Sequence, residues 1–274
     1  MTRGSGAQGE PPPAPEPLPI AVADSHCHLD IMGGDVVAQL EAARAVGIDT
    51  VIQVGVDVAS SQLAAALALE HESVWAAVAL HPNEAGRGMA TPQALAEIAT
   101  LAQLPQVRAV GETGLDHFRT GPEGQGMQEA SFRAHIQIAK DSGKTLVIHD
   151  RDAHDDVLRV LSDEGAPETV VFHCFSGDAA MARVCADAGY YLSFAGPVTF
   201  KPNDALREAA VLCPLDRLLV ETDAPFLTPM PYRGRPNAPY LVPLTVRCLA
   251  ATRGVGLEEL CEAIAANGRR AFRF

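Results

Sequence analysis

The residues able to carry chemistry in this chain fall at the ends of short apolar runs. His26 and His28 close one run, Glu112 another, His149 and His173 two more, and Glu221 and Asp223 the last. Mixed imidazole and carboxylate donors suit Zn²⁺, Mn²⁺ or Fe²⁺, whereas Mg²⁺ prefers oxygen-rich sites. His26 and His28 are two residues apart, so on an extended chain both side chains point the same way and can bind one ion. Cys27 then faces the other side and reads as a packing residue. A lone histidine at a strand end is usually structural, and a lone carboxylate there is often a helix N-cap. Neither role accounts for so many ligand types together, because burying them side by side is costly without a metal to compensate. The six donors His26, His28, Glu112, His149, His173 and Asp223 exceed one tetrahedral site. Two metals, with Glu112 able to bridge them, fit better.

Such positions need a scaffold that gathers strand ends. Residues 1–19 carry three glycines and six prolines and are expected to form a disordered tail. Residues 20–274 match the roughly 250 residues of one eight-fold β/α barrel. Apolar runs at 20–24, 50–54, 74–79, 108–111, 145–148, 169–172, 190–194 and 217–220 predict eight strands. They are nearly continuous rather than alternating, which suits a parallel sheet covered by helices. Helical patterns occupy about 36–43, 60–70, 91–101, 126–142, 152–164, 178–188 and 203–211, with two closing helices near 243–253 and 257–267. Thr91-Pro92 reads as an N-cap with a first-turn proline, and Gly47 as a C-terminal cap. The expected fold is therefore an α/β (β/α)₈ TIM barrel, whose strand C-termini all open on one face. A doubly wound sheet is the alternative, but no GxGxxG turn follows the first strand.

Composition narrows the function. Thirty-four acidic against 21 basic residues give a net charge of −13, which argues against a broad basic face for duplex DNA. Any nucleic-acid role must rest on a local site. No apolar run approaches the roughly 20 residues of a membrane span, and no secretory signal is visible. Six scattered cysteines without CxxC spacing read as reduced thiols, so a cytoplasmic protein is expected.

Taken together, several segments resemble the TatD family of metal-dependent hydrolases, within the wider amidohydrolase-like barrels. They are Ser25–Asp30, Leu80-His-Pro82, Gly111–Asp116, Val147-Ile-His149 with Arg151, His173–Gly177, Glu221–Leu227, and Tyr232-Arg-Gly followed by Asn237. The resemblance spans roughly 22–274 and implies a TIM barrel holding two divalent ions (Mg, Mn or Zn). It implies that His26, His28, Glu112 and Asp223 bind one ion and Glu112, His149 and His173 the other. It further implies phosphodiester hydrolysis, with DNA single strands or ends as substrate and 3′ to 5′ trimming. His117 departs from the aromatic residue common after Gly-Leu-Asp, and Asn83 and Ala238 depart on loops that bear on substrate preference.

Many related barrels bridge their metals with a carboxylated lysine, but Lys140, Lys144 and Lys201 all miss the ligand positions. Arg151, Arg233 and Arg235, with His81 at the end of the third strand, are the candidates for substrate binding. Asp223 and Glu112 are the candidate catalytic carboxylates, Asp223 as the acceptor of the attacking water's proton. Two rival readings remain open. One is hydrolysis of another ester, such as a mischarged D-aminoacyl-tRNA. The other is a non-catalytic metal-binding partner protein. A monomer without membrane attachment is expected in each case.

Overall fold

The computed structural model describes residues 9–274; the part of the expected tail spanning 1–8 lies outside the described residues. Eight strands follow one another in chain order in a single sheet. They are β1 (Val22–Cys27), β2 (Ile48–Val54), β3 (Val74–Val78), β4 (Val107–Asp116), β5 (Thr145–Arg151), β6 (Val170–Phe172), β7 (Tyr191–Phe194) and β8 (Leu218–Val220). Alternating with helices, they make the (β/α)₈ TIM barrel that the sequence predicts. Strands buried along nearly their whole length explain the continuous apolar runs. Among the described residues, no helix is long and apolar enough to cross a membrane.

By its internal contacts the chain divides into two compact units: residues up to Ile52 with Gly177–Arg269, and Gln53–Ser176 with Arg270–Phe274. In the first, β1 meets the segment after β8 through a parallel bridge between Cys27 and Ala224, and His28 N donates to Ala224 O at 2.9 Å. In the second, β3, β4, β5 and β6 pair in parallel.

Two strands differ from expectation in ways that matter for chemistry. The first begins and ends later, so His26 and Cys27 lie within β1 rather than beyond it. The fourth runs through Asp116 instead of stopping at Gly111. A register shift between Val110 and Thr113 lets β4 continue along β5, with Gly114 opposite His149 and Asp116 opposite Arg151. Glycine makes that approach possible. A Cβ on Gly114, whose φ is +135°, would lie 2.1 Å from the His149 carbonyl oxygen. The glycines that look like a strand end are what allow the strand to go on.

Residues 10–18 depart from the expected disordered tail. Arg235 donates to Glu10 O at 2.8 Å and Pro11 O at 2.9 Å, and Tyr240 Oη donates to Pro12 O at 2.6 Å. Arg247 reaches Pro17 O at 3.1 Å, Leu18 N donates to Val46 O at 3.0 Å, and the Leu18 side chain is buried. Proline fixes the backbone at little further entropic cost and leaves its carbonyl as an acceptor. Composition shows the prolines but not the donors waiting for them.

Candidate metal centre

In the first unit, β1 ends as expected for a paired-histidine ligand set. His26 Nε2 and His28 Nε2 lie 3.3 Å apart, and Asp223 Oδ1 is 3.8 Å from the first and 3.6 Å from the second. The placement of Asp223 is built from Asp24, a fully buried carboxylate. Asp24 accepts from Thr222 N at 2.9 Å, Thr222 Oγ1 at 2.5 Å and His26 N at 3.3 Å, tying the end of β8 to β1. Burial pushes the Asp24 carboxyl up to about 7 despite those hydrogen bonds. The next residue, Asp223, takes a left-handed φ of 54° and donates its N–H to His26 O at 2.9 Å. Asn237 clamps the same turn from the other side, through Thr222 O at 2.9 Å and Phe226 O at 2.5 Å. The Phe226 ring meets His28 edge-on at 6.3 Å. Cys27 Sγ turns instead toward Met32 Sδ at 3.9 Å, and burial drives its pKa well above the ordinary thiol value.

In the second unit, Glu112 is the hub. Its Oε2 lies 3.0 Å from His173 Nε2, 3.2 Å from His149 Nδ1 and 3.6 Å from His81 Nε2. His173 Nε2 and His149 Nδ1 are 3.4 Å apart, and Asp116 Oδ2 is 3.3 Å from the other His149 nitrogen. Burial opposes a charge on His149, but hydrogen bonds to Asp116 and Glu112 outweigh it and hold its pKa above the usual value. Burial likewise pushes Asp116 up, and the donors His149 and the Arg119 N–H win, lowering it to about 2. His81 differs. Burial drives it down to about 3, so it is neutral, and its Nδ1 accepts the Asn83 N–H at 3.0 Å. The ring proton then sits on Nε2, facing Glu112. His135, on the helix Pro122–Ser142, fixes the end of β3 by accepting the Leu80 N–H at 3.0 Å.

These separations test the fit to metal. Two ligands each about 2.1 Å from one tetrahedral ion stand about 3.4 Å apart. Donor separations of 3.3–3.8 Å in the first unit, and of 3.0–3.4 Å among Glu112, His149 and His173 in the second, match that spacing. The donors also form compact groups, with His26, His28 and Asp223 in one and His81, Glu112 and His149 in the other. The residues fit divalent metal.

A model of TatD-related DNases matches residues 23–273. The chain is 47% identical over 260 residues to the uncharacterized metal-dependent hydrolase TatD of Mycobacterium tuberculosis, covering 91% of this chain and 97% of that one. The chain belongs to the TatD family. It is a metal-dependent hydrolase, and its donor clusters could hold the metal. A second TatD relative, named the 3′-5′ ssDNA/RNA exonuclease of Klebsiella pneumoniae, is 35% identical over 249 residues, covering 87% of this chain and 90% of its own. The crystal structure of a TatD homologue of Escherichia coli, YJJV, superposes with a TM-score of 0.87 at 27% identity, covering 92% of this chain and 98% of that one.

Against this TatD frame, each of the six expected ligands lies in a donor cluster, and His81, expected as a substrate contact, lies beside Glu112 and His149 in the second. Lys140 donates to Glu164 O and Lys144 to Val107 O, while Lys201 is exposed. The expected substrate-binding arginines have other neighbours. Arg151 covers the Phe118 ring at 4.0 Å, Arg233 lies 4.4 Å over Phe200, and Arg235 is held by the Glu10 and Pro11 carbonyls. Glu221, which the sequence places at the end of the last strand but outside the six expected ligands, has its carboxylate within 4.8 Å of a His26 nitrogen, and sequence reasoning missed Asp116. Asp116 had a usable signal. It is four residues past Glu112 on one strand, so both face the same side.

Proposed function

We propose that this chain is a deoxyribonuclease that hydrolyses phosphodiester bonds and trims single strands in the 3′ to 5′ direction. The observation that carries the reading is the pair of partly buried histidine–carboxylate clusters at metal-ligand spacing, in a family where one relative is named a 3′-5′ ssDNA/RNA exonuclease. In this reading His26, His28 and Asp223 hold one ion, and Glu112, His149 and His173 hold a second. Bound divalent ions would lower the pKa of water and offset charge on a phosphoryl oxygen. Asp223, its side chain 14% exposed, accepts the proton of the attacking water. His81 Nε2–H donates to a substrate oxygen, its tautomer fixed by the Asn83 N–H. A net charge of −13 repels polyanions at large, so local cations and the bound metals supply the attraction.

The test is purified protein loaded with Mg²⁺, Mn²⁺ or Zn²⁺, offered end-labelled single-stranded DNA, duplex DNA, RNA and a panel of other esters including mischarged aminoacyl-tRNA. Stepwise shortening of single-stranded DNA from the 3′ end, abolished by EDTA and restored by metal, is expected. Turnover of another ester with none on oligonucleotides would replace the reading, and bound metal without turnover would make the chain a binding protein.

A further inference from the structure

Phe118 is 62% exposed, yet the turn that carries it is fixed. Arg119 N donates to Asp116 Oδ1 at 2.8 Å, His117 N to Arg151 O at 2.9 Å, and Asp116 N to Gln128 Oε1 at 3.0 Å. The other Asp116 oxygen is the one lying 3.3 Å from His149 Nε2. A single carboxylate therefore faces the donor cluster and caps the turn that presents Phe118. The Arg151 guanidinium lies over one face of the ring, 4.0 Å from its centroid. The next residue, Arg119, is exposed. Nearby Asp150 is engaged by His154 at 2.7 Å, and Asp156 by Arg159 at 3.0 Å.

An exposed ring in a hydrophobic patch would suit a protein partner. The turn companions of Phe118 are instead half-buried His117 and exposed Arg119, and a cation backs it. A flat apolar face backed by one cation and followed in the chain by another suits a ligand that is planar at one point and anionic at the next, which describes one nucleotide of a single strand. We propose that Phe118 is a stacking platform for an unpaired nucleobase of the substrate, with Arg151 backing the ring and Arg119 beside the adjoining phosphate. The proposal rests on the nuclease reading and deepens it. A base within a duplex already stacks on its neighbours, so the platform selects strands or ends whose bases are free.

The experiment compares wild type, Phe118→Ala and Phe118→Trp on a single-stranded oligonucleotide and on an abasic-spacer strand of equal length and charge. Binding is read by fluorescence anisotropy on non-hydrolysable phosphorothioate versions of both strands with metal present, and cleavage is read on the unmodified strands. Phe118→Ala should weaken binding and raise KM for the base-bearing strand by about 5- to 150-fold, the range for one lost base–aromatic stack. The wild-type preference for bases over abasic spacers should shrink by the same factor. Phe118→Trp should keep that preference. Trp75 is the single tryptophan of the sequence, so a second indole should report the base-bearing strand by quenching. Wild-type cleavage with an unchanged base preference in Phe118→Ala would overturn this proposal alone, as would equal losses on both strands. Absence of wild-type binding and cleavage on every oligonucleotide would overturn the nuclease reading and this proposal with it.

Discussion

The two units arrive at similar donor clusters by different construction. In the first, two histidines at i and i+2 where one strand ends and a carboxylate from the segment after β8 suffice, and a buried carboxylate, Asp24, holds them in place. In the second, Glu112 and His149 lie within β4 and β5 while His81 and His173 follow β3 and β6; they gather around one Glu112 oxygen and are braced by a buried neutral imidazole, His135. A cluster on adjacent strands inherits its geometry from the pleat. A cluster drawn from four strands must be organised by a shared partner. Loss of that partner should be felt by every member.

The largest effect is therefore expected at Glu112. Glu112→Gln removes the charge that faces three imidazoles at 3.0–3.6 Å and should abolish hydrolysis together with metal binding in the second unit. Asp223→Asn removes a carboxylate facing two imidazoles at 3.6–3.8 Å and should lower kcat by roughly 10²–10⁴ with less metal lost. Cys27→Ser, between the two histidines but directed at Met32, should keep its chemistry and lose packing stability. Metal content by plasma mass spectrometry, kcat and Tm for the three variants separate these outcomes. Equal metal loss in Glu112→Gln and Asp223→Asn would erase the distinction between the units.

The same contrast explains what could be read in advance. His26 and His28 declare themselves because strand periodicity puts both on one face, and the alternation of apolar runs with helical patterns is enough for the barrel. The extent of β4 was hidden, because Gly111 and Gly114 signal a break unless the close approach of β5 is known. With β4 cut short, Asp116 fell outside the strand and its place beside His149 went unseen. His135 reads as a surface or packing residue on its helix, since nothing local shows that its ring meets a backbone N–H 55 residues away. Long-range hydrogen bonds leave no periodic trace.

His135 gives the second, smaller test. Burial lowers its pKa to about 4, below the ordinary value near 6.5. Between those values the unfolded chain binds a proton that the folded chain does not, so acid favours unfolding. The contribution is complete above pH 6.5 and is lost as pH falls toward 4, to a limit of about 3 kcal/mol. His135→Gln has no proton to take up in this range. Urea melts of the metal-free protein at pH 7, 5.5 and 4.5 should show the wild-type advantage shrinking with acid. An advantage that stays constant would mean the brace titrates in the native state as it does in the unfolded chain.

The smallest expected effect concerns a brace peculiar to the first unit, the proline segment 10–18. Three of its carbonyls hold Arg235 and Tyr240, which flank Asn237, and Asn237 clamps the turn that carries Asp223. These bonds join polar groups near the surface, so each is worth about 0.5–1.5 kcal/mol at most, and part is recovered by water. A chain beginning at Pro13 should lose about 1 kcal/mol, a fall of about 2–4 °C in Tm, with a rise in KM of a few-fold as the 228–240 segment loosens. A chain beginning at Ile20 also exposes the pocket of buried Leu18 and should fall further. The hydrogen bonds of this segment given above are all made to residues of the first unit, so metal held by Glu112, His149 and His173 should be unaffected. If the chain beginning at Pro13 matches the full chain in both Tm and KM, the hydrogen bonds to residues 10–12 do not position the loop, and the first unit holds Asp223 through Asp24 and Asn237 alone.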